Sequence, residues 1–273
     1  GTGSCVVTVD AAKSVTATFT LPSFVLSVAS AGNGAGLVTS NPAGINCGAT
    51  CSASYTSGTV VTLTAAPTAP SVFAGWSGAC SGTGSCVVTV DAAKSVTATF
   101  NTVPILVSAV SRKVHGVAGT FDLPLSGTIT SPTTEPRAGP YVIVFTFDKP
   151  VIAGSASVTE GVATAGTPTF NGNEMAVPLT AVTNVQYVTV AAANVVPGGG
   201  GSNGSGAVRV GFLLGDVNQS GQVLVSDVGA VNGKLLQPVT GANFLFDVNA
   251  DGRLTVSDVG LTNANLLKKL PAP

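Results

Sequence analysis

Histidine, tryptophan and methionine each occur once in the 273 residues, tyrosine occurs three times, and charged side chains make up only 8%. Each shortage excludes something. With a net charge of −1, nothing draws the chain to nucleic acid or to an anionic membrane. A Ser-His-Asp arrangement or a histidine metal site would have to use His115, and neither a nucleophile-elbow motif nor a second histidine accompanies it. No uninterrupted apolar run approaches the roughly 18 residues of a membrane span. The chain opens on Gly1 without a signal peptide and reads as a fragment or processed product.

What is present is glycine, threonine, serine, valine and alanine, a balance suited to short β-strands joined by small-residue turns. Valine is too abundant for disorder. The length admits two or more domains with proper cores, and the expected class is mainly β and multidomain.

One short sentence is written twice near the end: DVNQSGQVLVSD from Asp216 and DVNADGRLTVSD from Asp247, 31 residues apart. Oxygen-bearing side chains occupy positions 1, 3, 5 and 12: Asp216, Asn218, Ser220 and Asp227 in the first copy, Asp247, Asn249, Asp251 and Asp258 in the second. Position 7, Gln222 or Arg253, would add a backbone carbonyl, and glycine at position 6 permits the positive-φ turn. A hard cation needing six to eight oxygens is wrapped this way, and calcium is the natural candidate, two ions in all. The five acids after Glu174 are all loop positions. Loop 2 carries three carboxylates and loop 1 two, so loop 2 should fill first. Hydrophobic residues at position 8, Val223 and Leu254, would pack the two loops together as a pair.

Each loop is followed by a helix-like run, the second expected over Val259 to Leu270, and neither is preceded by a convincing one. With its glycine-aspartate opening and aspartate at position 12, the stretch resembles a type I dockerin, over Gly215 to Gln237 and Phe246 to Leu270. The resemblance implies a small α-helical domain with paired calcium loops that docks onto a cohesin-like protein domain. Contacts would come from Val225, Ser226, Asn232 and Gly233 in one half, and Val256, Ser257, Asn263 and Ala264 in the other. The basic pair that many dockerins carry in that helix is absent, which leaves open a purely structural use of the calcium.

Residues Gly1 to Phe19 recur unchanged as Gly82 to Phe100, so the opening, residues 1–20, reads as the tail of a preceding repeat. The whole repeat, 21–102, carries GINCGATC, FAGWSGAC and SVTATF and resembles the divergent internalin B-type repeat of bacterial surface and secreted proteins. That family implies a β-grasp-like spacer. Two disulfides are expected, Cys47 with Cys51 and Cys80 with Cys86, although four cysteines allow three connectivities. A four-thiolate zinc site is the competing reading. Cys5 is the counterpart of Cys86, and its own partner would precede the chain. Trp76 reads as core with sugar stacking as the rival.

Between the repeat and the loops, residues 103–212 show seven short alternating stretches: Ile105 to Val110, Thr120 to Leu125, Tyr141 to Phe147, Ala156 to Val158, Glu174 to Leu179, Tyr187 to Ala191 and Ala207 to Phe212. They argue for a β-sandwich. The stretch resembles bacterial immunoglobulin-like modules placed before a dockerin, here 213–273. Asp148 with Glu174, or Asp122 with Glu135, are the available carboxylate pairs for glycoside hydrolysis. The glycine-rich run Pro197 to Gly206 reads as a hairpin loop. The expectation is therefore a non-catalytic region of a secreted or cell-surface protein, with a docking role in polysaccharide degradation. The alternatives are an adhesin or cell-envelope stalk stiffened by calcium, and part of a polysaccharide hydrolase. Carbohydrate as a ligand stays open.

Overall fold

The computed structural model describes residues 2–128 and 130–272; Gly1 and Pro273, at the two ends of the expected terminal segments, lie outside the described residues. The chain is mainly β, with two short helices. Its contacts group into two compact units, one built from the first 31 residues, Gly36–Pro67 and Phe73–Thr99, the other from Gly32–Ala35, Thr68–Val72 and Phe100 onwards.

The first unit holds β1 (Ser23–Ala31), β2 (Gly36–Asn41), β3 (Asn46–Cys47), β4 (Ser52–Thr56), β5 (Thr59–Pro67), β6 (Ser71–Gly78), β7 (Cys86–Val90) and β8 (Lys94–Thr102). They make two four-stranded sheets, ordered β4-β1-β8-β6 and β3-β2-β5-β7. First and last strands run side by side in parallel, Leu26 opposite Lys94 through Ala31 opposite Thr99. No helix crosses either sheet among the described residues, so the grasp-like expectation reduces to this parallel pair. Period-2 alternation explains the core: in β7, Cys86, Val88 and Val90 point inward while Val87 and Thr89 face out. Leu26, Val38, Val61, Leu63, Val96 and Ala98 are buried as well, each fully buried valine or leucine contributing about 1.5–3 kcal/mol.

The second unit holds β9 (Leu106–His115), β10 (Gly119–Pro124), β11 (Thr134–Glu135), β12 (Tyr141–Phe147), β13 (Val151–Glu160), β14 (Thr164–Ala165), β15 (Thr169–Asn171), β16 (Glu174–Thr180), β17 (Gln186–Pro197) and β18 (Gly204–Phe212). One sheet runs β10-β9-β12-β16-β14 with β15 beside β16, and the other runs β11-β18-β17-β13. Each of the seven expected stretches is a strand, and two are much longer than read: bulges let β13 and β17 stay paired from Val151 opposite Pro197 to Glu160 opposite Thr189. The glycine-rich run does form the β17–β18 hairpin connection. Ile143, Phe145 and Val177 from one sheet meet Val188, Val190 and Val208 from the other in a shared core.

The same core takes in Val239, Phe244 and Leu254 from the C-terminal segment. That segment carries α1 (Val225–Asn232) and α2 (Val256–Ala264). Val217, Val231 and Val248 form a small buried cluster of the segment's own, with Leu214, Phe246, Val259 and Leu261 packed against it. So small a cluster supplies a few kcal/mol before conformational entropy is counted, while Val239, Phe244 and Leu254 are spent on the sandwich.

Candidate metal centre

The two copies of the twelve-residue stretch fold alike. In loop 1, Asp216 accepts hydrogen bonds from the amides of Ser220 (2.9 Å) and Gly221 (2.9 Å); in loop 2, Asp247 accepts from those of Asp251 (3.2 Å) and Gly252 (2.9 Å). At the other end, Asp227 takes the amides of Asn218 (3.1 Å) and Leu224 (2.9 Å), and Asp258 those of Asn249 (3.2 Å) and Thr255 (2.9 Å). Position 12 therefore closes its loop and caps the following helix at once. These helices start at position 10, inside the loop sequence, because the aspartate at position 12 sits in their first turn.

All four of these carboxylates are fully buried. Burial pushes Asp216 and Asp258 above the usual carboxylate range, with backbone amides and, at Asp216, the Thr134 hydroxyl pulling the other way. Among the described residues, neither Asp216 nor Asp227 nor Asp258 forms an ion pair. Asn218, Ser220, Asp251 and Arg253 face outward, while Gln222 and Asn249 are half-buried. Among the described residues, no three His, Cys, Asp or Glu side chains come together as a metal-holding group. The donor set is a buried carboxylate pair per loop plus amide, hydroxyl and carbonyl oxygens. Buried, like-charged and unneutralised oxygens of this kind fit a hard cation.

The two halves are related residue for residue, but not by packing position 8 against position 8. Gln222 bridges to Lys269 and Arg253 to Pro238, so each loop pairs with the chain beyond the other half's helix. The amide of Leu267 donates to Val223 and that of Leu236 to Leu254 (2.8 and 2.9 Å). Val223 packs with Tyr187, Leu213 and Leu270, whereas Leu254 enters the sandwich core. The expected helix from Val259 to Leu270 is also corrected: α2 ends at Ala264, and Leu267 takes φ 65°, turning the chain into its pairing with loop 1. All eight residues expected to face a partner are exposed, and Val225 and Val256 occupy equivalent places at 75% and 77% exposure.

Sequence reading missed what holds the loops. The inward positions of β9 run Ala109, Ser111, Lys113, His115, apolar turning to polar along one face, a pattern that was there to be read. His115 Nδ1 lies 2.7 Å from Asp247 Oδ2, and both side chains are fully buried. Arg137 Nη1 lies 3.1 Å from the other ring nitrogen, and its guanidinium is gripped by Glu135 through bonds of 2.7 Å at Nε and Nη2. The segment after β11 also ties both halves down: Gly215 donates to Pro136 (2.9 Å), and Ala138 to Val248 (2.7 Å). Gly116, at φ +45°, faces the Asp251 carbonyl so closely that a Cβ would stand 2.1 Å from it. Gly252, at φ +87°, returns the contact, 2.5 Å from the His115 carbonyl.

The carboxylates available for hydrolytic pairing are each engaged elsewhere. Asp122 and Glu174 both bind Arg112, Glu135 belongs to Arg137, and Asp148 accepts the Ile105 amide.

The first unit can be placed by comparison. Residues 36–104 match the family described as Divergent InlB B-repeat domain. No curated protein and no solved structure matches the chain. The matched InlB B-repeat contains both disulfides, Cys47–Cys51 and Cys80–Cys86, in the pairing expected. In it Trp76 is buried, donates to the Gly84 carbonyl at 2.7 Å and meets Phe73 edge-on at 4.9 Å, which is a core role. Cys5, outside the matched span, is free and exposed.

Proposed function

We propose that this chain is a non-catalytic, extracellular region of a bacterial surface or secreted protein in which residues 213–273 form a type I dockerin-like module that binds two calcium ions and docks onto a protein partner of the cohesin kind. The observation carrying this reading is the duplicated loop: two stretches 31 residues apart adopt one hydrogen-bonding pattern around buried carboxylates at positions 1 and 12. Calcium, when bound, would supply the positive charge those carboxylates lack. Asp216, Asn218, Ser220, Asp227 and the Gln222 carbonyl would hold one ion; Asp247, Asn249, Asp251, Asp258 and the Arg253 carbonyl would hold the other. The eight exposed residues at the helix starts and ends leave a surface for a partner. The sandwich, read as immunoglobulin-like, serves as a stalk, and the disulfide-bonded repeat suits an oxidising exterior.

Calorimetric titration of chelated protein with calcium, alongside circular dichroism, tests this. Two sites are expected, loop 2 the tighter, with Asp247→Ala removing the tighter and Asp216→Ala the weaker. Absence of binding, or a tighter site that survives Asp247→Ala, would count against the assignment.

A second reading, a calcium-stiffened stalk without a cohesin, is favoured by one observation: the module spends Val239, Phe244 and Leu254 on the sandwich core. Pull-down against a cohesin panel separates the two.

A further inference from the structure

We propose that His115, a residue of the sandwich strand β9, is a positioning residue for the second calcium loop, fixing the carboxylate of Asp247 through its Nδ1; the inference rests on the calcium reading above. The geometry settles the tautomer. An arginine only donates, so the ring nitrogen facing Arg137 Nη1 at 3.1 Å must be the acceptor. The proton then sits on Nδ1, which donates to Asp247 Oδ2 at 2.7 Å.

Arg137 cannot turn away. Glu135 holds it at Nε and Nη2 (2.7 Å each), and the Ser111 carbonyl accepts from Nη2 at 3.0 Å. Phe244 lies under its guanidinium at 5.1 Å and stacks on Phe121 at 5.4 Å. Glu135, Arg137, His115 and Asp247 thus form one buried line, at most 1% exposed at any member, running from the sandwich interior to position 1 of loop 2. Groups that orient a ligand from behind are worth about 10–100-fold in metal affinity.

Loop 1 is held differently. Its position-1 carboxylate, Asp216, accepts hydrogen bonds from within its own loop, from the Ser220 hydroxyl at 3.3 Å and the amides of Ser220 and Gly221 at 2.9 Å each, and among the described residues it forms no ion pair. The two loops are near-copies in sequence, so a difference in how the sandwich supports them gives them different dependence on it. Loop 2 is the half whose affinity is written into β9.

The test uses the full chain in an Asp216→Ala background, so that loop 2 is titrated alone with calcium chloride by calorimetry. His115→Ala is expected to weaken that site by about 10–100-fold. His115→Asn carries its amide nitrogen near the place of Nδ1 and should restore most of the affinity. His115→Gln keeps the contact to Arg137 but not the one to Asp247, and should remain weak. Circular dichroism in chelator checks that each variant is folded; if His115→Ala is not, the comparison of Asn with Gln still decides. Equal affinities for wild-type, Asn and Gln side chains would overturn the proposal while leaving calcium binding intact. No calcium uptake with His115 in place would overturn the calcium reading and this inference together.

Discussion

At the scale of single residues, the chain places its polar groups where one strand changes what it faces. Lys113, on the same inward face of β9 as His115, is 3% exposed and donates to the carbonyls of Ala138 and Pro140 (2.7 Å for the second) beside the Tyr141 ring. Burial pushes its ammonium down to about 8, from 10.5. A base depressed in the folded state binds fewer protons there than when unfolded, so stability rises with pH between about 8 and 10, by at most about 1.4 kcal/mol per pH unit. Tyr141, pushed above its ordinary 10 by the same burial, keeps its proton longer when folded and turns the curve down at higher pH. Urea unfolding at a series of pH values should therefore show a stability maximum near pH 10. In Lys113→Met the rising limb should be gone; a limb that persists would assign it to other groups.

At the scale of elements, the duplicated opening separates local preference from tertiary context. Residues 2–19 form no strand, whereas the same sequence at 83–100 supplies β7 and most of β8. The local contact survives in both copies, Lys13 to Asp10 at 2.8 Å and Lys94 to Asp91 at 2.9 Å. The distant ones do not: β7 is paired by β5 and β8 by β1, and residues 2–19 have no such partner strands. Phe100 is 1% exposed and Phe19 93%. Phe100→Ala should cost about 3–5 kcal/mol of stability in urea melts and Phe19→Ala nothing measurable. A loss at Phe19 comparable to that at Phe100 would mean that the opening packs in solution.

The same division explains what was legible. Twelve consecutive residues encode a loop's own hydrogen bonds, and cysteines four and six apart encode their own bridges, so both could be read from the chain. Strand positions followed from alternation. The support of loop 2 did not, because His115 and Asp247 are 132 residues apart and no local pattern links them. Nor did the end of α2, where Leu267 adopts a left-handed backbone for the sake of a pairing with Val223. Both losses are cases of a non-local partner deciding a local conformation.

At the scale of the whole molecule, the distribution of buried groups sets how the chain should unfold. Residues 213–273 keep Val217, Val231 and Val248 for themselves and place Val239, Phe244 and Leu254 in the sandwich core, so sandwich and C-terminal segment are expected to melt as one body. The disulfide-bonded unit has its own core and should melt separately. Calcium acts only on the body whose folded form binds it, by about 2.7 kcal/mol per site at a hundredfold excess over Kd. For a body of this size that corresponds to a rise of about 5–10 °C per site. The composition provides the probe: the only tryptophan, Trp76, belongs to the first unit. Its fluorescence transition should be insensitive to calcium and should shift when the disulfides are reduced. Calorimetry on the same sample should show a second transition that moves with calcium and not with reductant. A calcium-sensitive helical transition preceding a calcium-insensitive sandwich transition would show instead that the contacts through Phe244 and His115 are too weak to join them, and would return 213–273 to the status of a free-standing module.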